Sequence, residues 1–279
     1  MNRYQLGPHA AEAPGLFPAR WRGFFARRRA LLRGGLGVVF VLALWEFAAR
    51  DVIRDERILA PFSKSLITLL SLVWTGEIWK HTVASGSEFL LGFSLATLAG
   101  IAAGFLMGTA RVIREYLGPW FFGLYSAPLV ALAPLYIMFF GIGTSAKVAL
   151  VFTVVFFPVA INTLAGVASI DAGFIEVARS FGASRWQVFS KTLFPFSLAY
   201  IVAGLRLGVG RGLTGVVVAE FFFANAGVGF LVALAGQTFN TALLFAGVLL
   251  FAAAGAGLTE ALKQLERKLA PWRHAAENP

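Results

Sequence analysis

Residues 176–195, EVARSFGASRWQVFSKTLFP, form one compact polar segment between two long apolar runs. Asp171, just upstream, can cap a first short helix, and Gly182 can end it because glycine adopts left-handed backbone conformations without strain. Ser184 and Gln187 form the pair S-x-x-Q, a capping box that starts a second helix. The sequence therefore predicts two short helices joined at a glycine.

The second helix of this segment carries an apolar stripe. Trp186, Phe189 and Leu193 fall at positions i, i+3 and i+7, which share one face of a helix, and Pro195 marks where the next apolar run begins. We call residues 171–195 the elbow. An ordinary loop lying on lipid headgroups is the alternative interpretation, because amphipathic helices also bind membrane surfaces.

The composition is that of a membrane protein. Of the 279 residues, 58% are hydrophobic and 14% are charged, whereas soluble domains carry about 25% charged residues. The mean hydropathy is +0.75, and several apolar runs approach or exceed the ~20 residues that a helix needs to cross a bilayer. We therefore expect an all-α polytopic membrane protein.

Six membrane-spanning helices are predicted within a single transmembrane domain, residues 31–265. A basic cytoplasmic or interfacial tail, residues 1–30, precedes this domain, and a cytoplasmic tail, residues 266–279, follows it. The domain includes the elbow. The predicted spans are 31–49, 84–108, 118–140, 146–167, 195–219 and 238–260.

The distribution of lysine and arginine orients these spans. Sixteen of the basic residues fall in the two tails, the loop after the second span and the elbow, and six fall in the other loops. Because loops rich in Lys and Arg stay in the cytoplasm, both termini and the elbow are predicted to be cytoplasmic.

The sequence gives little support for a metal site or a catalytic site. The chain has no cysteine, and His9, His81 and His274 all lie outside the apolar runs. No phosphate loop of the form G-x4-G-K-[ST] occurs. We expect no catalytic residue, no metal site and no cofactor bound by this chain. The net charge is +10. The basic residues cluster at the ends of the predicted spans, so they indicate membrane topology rather than nucleic-acid binding.

Two predicted spans carry glycines on one helix face. Spacings that are multiples of four place these glycines together, and small residues allow close helix packing in lipid. They are Gly92, Gly100, Gly104 and Gly108 in the second span and Gly204, Gly208 and Gly212 in the fifth.

The elbow resembles the cytoplasmic "EAA" loop of permeases from binding-protein-dependent ABC importers, whose pattern is E-A-A-x3-G-x9-I-x-L-P. Glu176, Ala178, Gly182 and Pro195 match this pattern in register. Val177, Thr192 and Phe194 replace the first alanine, the isoleucine and the leucine.

The resemblance extends from about residue 80 to Trp272 and is to the nitrate/sulfonate/taurine branch. It rests on the runs HTVASGSEFLLGF, APLYIMFFGIG, FFPVAINTLAGV, AGLRLG and AEFFFANAGVGFL. Two departures stand out. SGSEF replaces the usual S-L-x-R pattern, and GVGF replaces the common GLGY.

The resemblance implies a six-span permease of the type I (MetI-like) fold in the bacterial cytoplasmic (inner) membrane. It would form a homodimer, receive substrate from a periplasmic or lipid-anchored binding protein and rest on two ATPase subunits, which use the ATP and Mg²⁺. The elbow would couple the permease to the ATPase. The implied coupling residues are Glu176, Ala178, Arg179, Gly182, Ala183, Ser184, Arg185 and Trp186.

Ionisable residues inside spans are candidate functional residues because their burial in lipid is unfavourable. Arg206 lies in the fifth span and can either attract an anionic substrate or neutralise Glu88 or Glu220. Arg211 lies about 140° further around the helix, so both arginines are not expected to face one pore squarely. Candidate path residues are Arg206, Glu88, Tyr125, Ser126 and Asn162, with Thr214 as a further polar side chain. Helix–helix hydrogen bonding is the alternative role for the uncharged ones.

Two other classes of function are alternatives to an importer permease. A secondary transporter or channel-like subunit would also have six spans with glycine faces, but it would not need the elbow motif. A membrane-embedded enzyme would need convergent catalytic groups, which the sequence does not supply. The resemblance leaves the substrate open among sulfonates, taurine, nitrate and vitamin precursors.

Overall fold

The computed structural model describes residues 34–269 and comprises two compact units that divide after Arg54. In the first unit, helix α1 (34–47) continues as a wider π-helical stretch, Ala48–Ile53. Arg54 ends this stretch with φ 57° and donates its N–H to Ala49 O. Glu46 of α1 accepts a hydrogen bond from Arg50 at 2.6 Å. The basic tail 1–30, the start of the first predicted span and residues 270–279 lie outside the described residues.

The second unit is built from helices. The described part of it contains α2 (Phe62–Thr75), α3 (Glu77–Thr109), α4 (Arg111–Ser126), α5 (Ala133–Phe140), α6 (Thr144–Ala168), α7 (Ala172–Ser180), α8 (Arg185–Val188), α9 (Phe194–Phe223), α10 (Val228–Gln237) and α11 (Thr241–Leu269).

Four predicted spans coincide with long apolar helices. Within the described residues, the stretches long and apolar enough to cross a membrane are Glu77–Thr109, Thr144–Ala168, Arg185–Phe222 and Thr241–Lys268. Each covers most or all of one of the spans predicted at 84–108, 146–167, 195–219 and 238–260. The prediction of several membrane-crossing helices is therefore confirmed.

The predicted span 118–140 is wrong as a single straight helix. The chain bends by 85° between α4 and the helical stretch Leu129–Phe140, and Ala127 is extended with φ −71° and ψ 149°. Pro128 accounts for the break, because a proline disfavours the helical conformation of the residue before it and offers no N–H of its own. Hydropathy alone did not reveal this bend.

Helix α6 is the centre of the bundle and packs against both glycine faces. A Cβ at Gly92 would lie 2.7 Å from Val151, and one at Gly104 would lie 2.5 Å from Thr163. On the other side, a Cβ at Gly204 would lie 2.9 Å from Asn162. Since real Cβ contacts are longer, only glycine permits these approaches, and the predicted packing faces of α3 and α9 are confirmed.

Candidate functional sites

The first half of the elbow is helix α7, closed at both ends as the sequence predicted. Asp171 caps its start by accepting a hydrogen bond from Gly173 N at 2.7 Å. At its end Gly182 adopts φ 79°, and Ala183 N donates to Ala178 O at 3.1 Å. A Cβ on Gly182 would meet no atom within 4 Å, so glycine is required there for its backbone conformation and not for space.

The second half of the elbow starts with the predicted capping box and runs into the membrane helix without a break. Ser184 N donates to Gln187 Oε1 at 2.7 Å, and Gln187 N donates to Ser184 Oγ at 3.2 Å. A π-helical turn, Phe189–Leu193, then joins α8 to α9. Pro195 therefore does not mark a new start. It lies inside one helical run that extends from Arg185 to Phe223.

The elbow has an inner and an outer face. Val188 and Leu193 are buried in a cluster with Phe105 of α3, whose ring meets that of Phe189 edge-on at 5.0 Å. Phe181 and Trp186 are 88% and 70% exposed. The predicted stripe thus divides, with Leu193 and Phe189 packed inward and Trp186 on the surface.

The predicted coupling residues sit mostly on this surface. Ala178 and Ala183 are half-buried against the inner cluster. The others are exposed, namely Glu176, Arg179, Gly182, Ser184, Arg185 and Trp186.

A second site is a cavity of about 710 Å³ beside α9, which we call the central cavity. The packing of α9 on α6 shows at which level along the helix bundle this cavity lies. A Cβ at Gly212 would lie 3.0 Å from Val155, and Val155 is near the middle of the 25-residue α6. At 1.5 Å per residue, Arg211 lies roughly 18 Å from either end of α6. The cavity is lined by Tyr125, Ala127, Pro128, Leu129, Val130, Val154, Arg206, Leu207, Gly210, Arg211 and Thr214.

Both arginines of α9 line this cavity, although the angle between them led us to expect that they would not both face one pore squarely. Gly210 and Thr214 fall between Arg206 and Arg211 around the helix, and both also line the cavity. The cavity therefore covers the whole arc of about 140° that separates the arginines.

The arginines differ in their partners. Arg206 donates to Glu266 of α11 at 2.5 Å, so the predicted alternatives of Glu88 or Glu220 as its partner are wrong. Arg211 makes no ion pair within the described residues. An unpaired guanidinium at mid-depth is unfavourable unless water or an anion reaches it.

Of the other predicted path residues, only Tyr125 and Thr214 line the central cavity. Ser126 donates to Phe122 O at 2.9 Å, and Asn162 donates to Pro158 O at 2.8 Å while its Cβ packs against Gly204. These two side chains bond to carbonyl groups of their own helices, so the described hydrogen bonds are not the helix–helix bonds that the sequence offered as the alternative role.

Glu88 is buried away from the central cavity and forms an ion pair with Lys147. Lys147 is one of the six basic residues that the sequence analysis counted in the other loops, but it lies in the first turn of α6 and is 7% exposed. Glu88 stands where the resemblance leads one to expect arginine. Lys147 neutralises Glu88. The position of Lys147 directly before a long apolar run was the sequence signal for its burial.

A third group of polar residues joins α3, α9 and α10 at the end of the bundle opposite the elbow; we call it the far network. Ser85 Oγ donates to Glu220 Oε1 at 2.6 Å and accepts from Val228 N at 2.8 Å. Gly229 N donates to Glu220 Oε2 at 2.6 Å. The carboxylate and the hydroxyl thereby satisfy the free N–H groups at the start of α10.

Gly227 completes the far network. It has φ 138°, its N–H donates to His81 Nδ1 at 3.0 Å, and a Cβ there would lie 2.2 Å from the Glu220 carboxyl carbon. The sequence singled out Glu220 but did not reveal its bond to Ser85 or the bond between Gly227 and His81, because 135 and 146 residues separate these partners along the chain.

Comparison with known proteins places this geometry in a family. A family model described as "Binding-protein-dependent transport system inner membrane component" matches residues 96–271. The taurine transport system permease protein TauC of Escherichia coli (strain K12) is 34% identical over 91% of this chain and 93% of its own length. The putative aliphatic sulfonates transport permease protein SsuC of Bacillus subtilis (strain 168) is 33% identical over 90% of this chain and 91% of its own.

Among solved structures, an inward-facing MetNI methionine ABC transporter aligns with a TM-score of 0.60 and 17% identity, covering 71% of this chain and 98% of that one. This likeness bears on the fold alone, and it confirms the predicted all-α importer-permease architecture. The resemblance carried by the elbow and the other motifs is likewise confirmed by the family match. The chain is therefore a multi-pass membrane protein that belongs to the inner membrane components of binding-protein-dependent ABC transport systems.

Proposed function

We propose that this chain forms the path by which an ABC importer carries a small sulfonate, with taurine as the leading candidate, across the bacterial cytoplasmic membrane. Arg211 is the observation that carries this proposal, because it is a guanidinium without an ion-pair partner among the described residues and it faces the central cavity at mid-depth. The near full-length similarity to taurine and aliphatic sulfonate permeases supports the choice of substrate class.

The central cavity suits a small zwitterion or anion with a polar head. A guanidinium binds an oxyanion through two parallel N–H···O bonds, and these charge-assisted bonds are strong where water is scarce. Tyr125 and Thr214 add hydroxyl groups to the lining. Arg206, whose charge is already balanced by Glu266, would contribute to the positive potential of the cavity without being free to hold the substrate alone.

The elbow would transmit the work of ATP hydrolysis. Its exposed aromatic side chains, Phe181 and Trp186, suit docking in a groove of a cytoplasmic ATPase. Helix continuity from Arg185 to Phe223 means that a displacement at the elbow moves the residues of the central cavity with it. Two copies of the chain and two ATPase subunits, which bind the ATP and Mg²⁺, would complete the transporter, with both chain termini in the cytoplasm.

The test is sulfonate uptake by the complete complex in proteoliposomes, driven by internal ATP. Arg211→Gln removes the charge and keeps much of the side-chain volume, so uptake of taurine is expected to fall at least tenfold, equivalent to about 1.4 kcal/mol of binding. Arg211→Lys keeps the charge but loses the planar set of N–H donors of the guanidinium, so it should retain intermediate uptake.

Arg111→Gln is the matched control, since Arg111 is exposed and paired with Glu115 at 2.6 Å and does not line the cavity. Complex assembly is checked by size-exclusion chromatography. Full taurine uptake by an assembled Arg211→Gln complex would contradict the path assignment. Uptake by the purified chain without ATP or partners would favour a secondary transporter instead.

A further inference from the structure

A second cavity, of about 620 Å³, lies between the elbow and the helix bundle. We call it the elbow cavity. Its walls come from the junction of α3 and α4, the end of α6, α7 and α8 with the π-helical turn that follows. The lining residues are Gly108, Thr109, Arg114, Val167, Ala168, Ile170, Ala172, Ile175, Arg179, Arg185, Val188, Phe189 and Leu193.

Three arginines from three different helices share this cavity. Arg114 is half-buried in the first turn of α4, Arg179 is in the last turn of α7, and Arg185 begins α8. Within the described residues none of them makes an ion pair, and no carboxylate lines the cavity. Like charges around one cavity repel each other, and the repulsion grows as water is excluded. An anion between them would convert this repulsion into attraction.

The rest of the lining is apolar except for Thr109, whose hydroxyl donates to Phe105 O at 2.8 Å. Val188 and Leu193 are buried, and Phe189 meets Phe105 edge-on and stacks on Trp186. The cavity therefore offers guanidinium groups beside a hydrocarbon wall, at the level where the spanning helices α3 and α6 end. Basic pockets between membrane helices at such a level fit the headgroups of anionic lipids, whose phosphate meets the arginines and whose chains meet the apolar wall.

We propose that the elbow cavity binds a phosphate group and that Arg114, Arg179 and Arg185 are its ligands. The apolar wall favours the phosphate of an anionic phospholipid over inorganic phosphate from solution. A bound phosphate ties α4 to both helices of the elbow, and so it sets how firmly the elbow follows the bundle. This site is separate from the central cavity, and it does not depend on which solute the protein carries.

Native mass spectrometry of the purified full-length chain tests the proposal directly. The chain is equilibrated in neutral detergent with phosphatidylglycerol, and the number of retained lipids is counted. We expect at least one lipid to be retained by the wild type and to be lost from the combined variant Arg114→Gln, Arg179→Gln and Arg185→Gln. Arg111→Gln is the control, because Arg111 starts the same helix as Arg114 but is paired with Glu115.

Separate arms identify the source of the phosphate. Phosphatidylcholine, inorganic phosphate and taurine are each added in place of phosphatidylglycerol, and the thermal midpoint of unfolding is recorded for the wild type and the triple variant. An arginine-dependent rise with phosphatidylglycerol alone supports a lipid site, and one that inorganic phosphate reproduces supports a site for free phosphate. Equal lipid retention by the wild type and the triple variant, or a rise with taurine alone, would overturn the proposal.

All three side chains are exposed or half-exposed, so the substitutions are compatible with folding. Should the triple variant nevertheless misfold, the single variant Arg114→Lys provides a second test of the proposal. It keeps the charge but loses the planar fork, and we expect it to retain the lipid more weakly than the wild type. Retention equal to that of the wild type in Arg114→Lys and in Arg114→Gln alike would exclude Arg114 as a phosphate ligand.

Discussion

Different kinds of hydrogen bonds stabilise the two ends of α9. At the elbow, hydrogen bonds join residues two to five positions apart, as between Ser184 and Gln187, and the side chains that matter are exposed. In the far network, buried Glu220 bonds to Ser85, 135 residues away. The elbow is thus a locally encoded structure that can move as a unit, whereas the far network anchors α10 to α3 and α9 through long-range contacts.

Gly227→Ala should produce the largest loss of stability, because it disrupts the far network in two ways. The new Cβ would lie 2.2 Å from the Glu220 carboxyl carbon, and φ 138° is strained for any residue with a side chain. We expect unfolding to become easier by about 3 kcal/mol or more, measured as a lower thermal midpoint and a lower yield of assembled complex. Gly86→Ala is the control, since its Cβ would meet nothing within 4 Å. Equal stability of the two variants would show that the far network is not an anchor.

The same contrast explains how much the sequence revealed. Capping signals and the left-handed glycine of the elbow depend on neighbours in the chain, so Asp171, Gly182, Ser184 and Gln187 were all predicted in their observed roles. The glycine faces were predictable as well, because a spacing of four places residues on one side of a helix.

Contacts between distant helices could not be predicted in this way. The Arg206–Glu266 and Lys147–Glu88 pairs join residues some 60 positions apart, and a single sequence does not say which acid meets which base. The bend at Pro128 was missed because hydropathy reports how apolar a run is and not the direction that it takes. The part of the central cavity formed by this bend was therefore missed too.

Ser85→Ala breaks the far network without adding volume. It leaves Val228 N–H without its acceptor and removes one donor from the buried Glu220 carboxylate. Because an unsatisfied buried polar group costs about 1–3 kcal/mol, we expect a smaller loss of stability than for Gly227→Ala. Ser87→Ala is the matched control in the same helix, since Ser87 is exposed and donates only to Ala84 O. A loss no greater than that of Ser87→Ala would contradict the proposed importance of the network.

Gly182→Val separates stability from coupling at the elbow. A β-branched residue at φ 79° is strained by roughly 1–2 kcal/mol, yet the site is open, so the complex should still assemble. Transport should fall more than stability, because the angle between α7 and α8 would change. Gly182→Asn is the conservative variant, since asparagine tolerates the left-handed region. Substrate-stimulated ATPase activity and uptake are measured together, and normal coupling in assembled Gly182→Val would contradict a rigid elbow.

Ser184→Ala tests the elbow at its weakest point and should have the smallest effect. Losing an N-cap hydroxyl costs about 1 kcal/mol, but α8 has only four residues and runs on into α9, so the loss should remain local. Hydrogen exchange should then quicken at the amides of Gln187 and its neighbours, with the thermal midpoint nearly unchanged. A large drop in the midpoint would mean that the capping box stabilises the bundle as a whole. The two ends of α9 would then not differ in the way that their hydrogen bonds indicate.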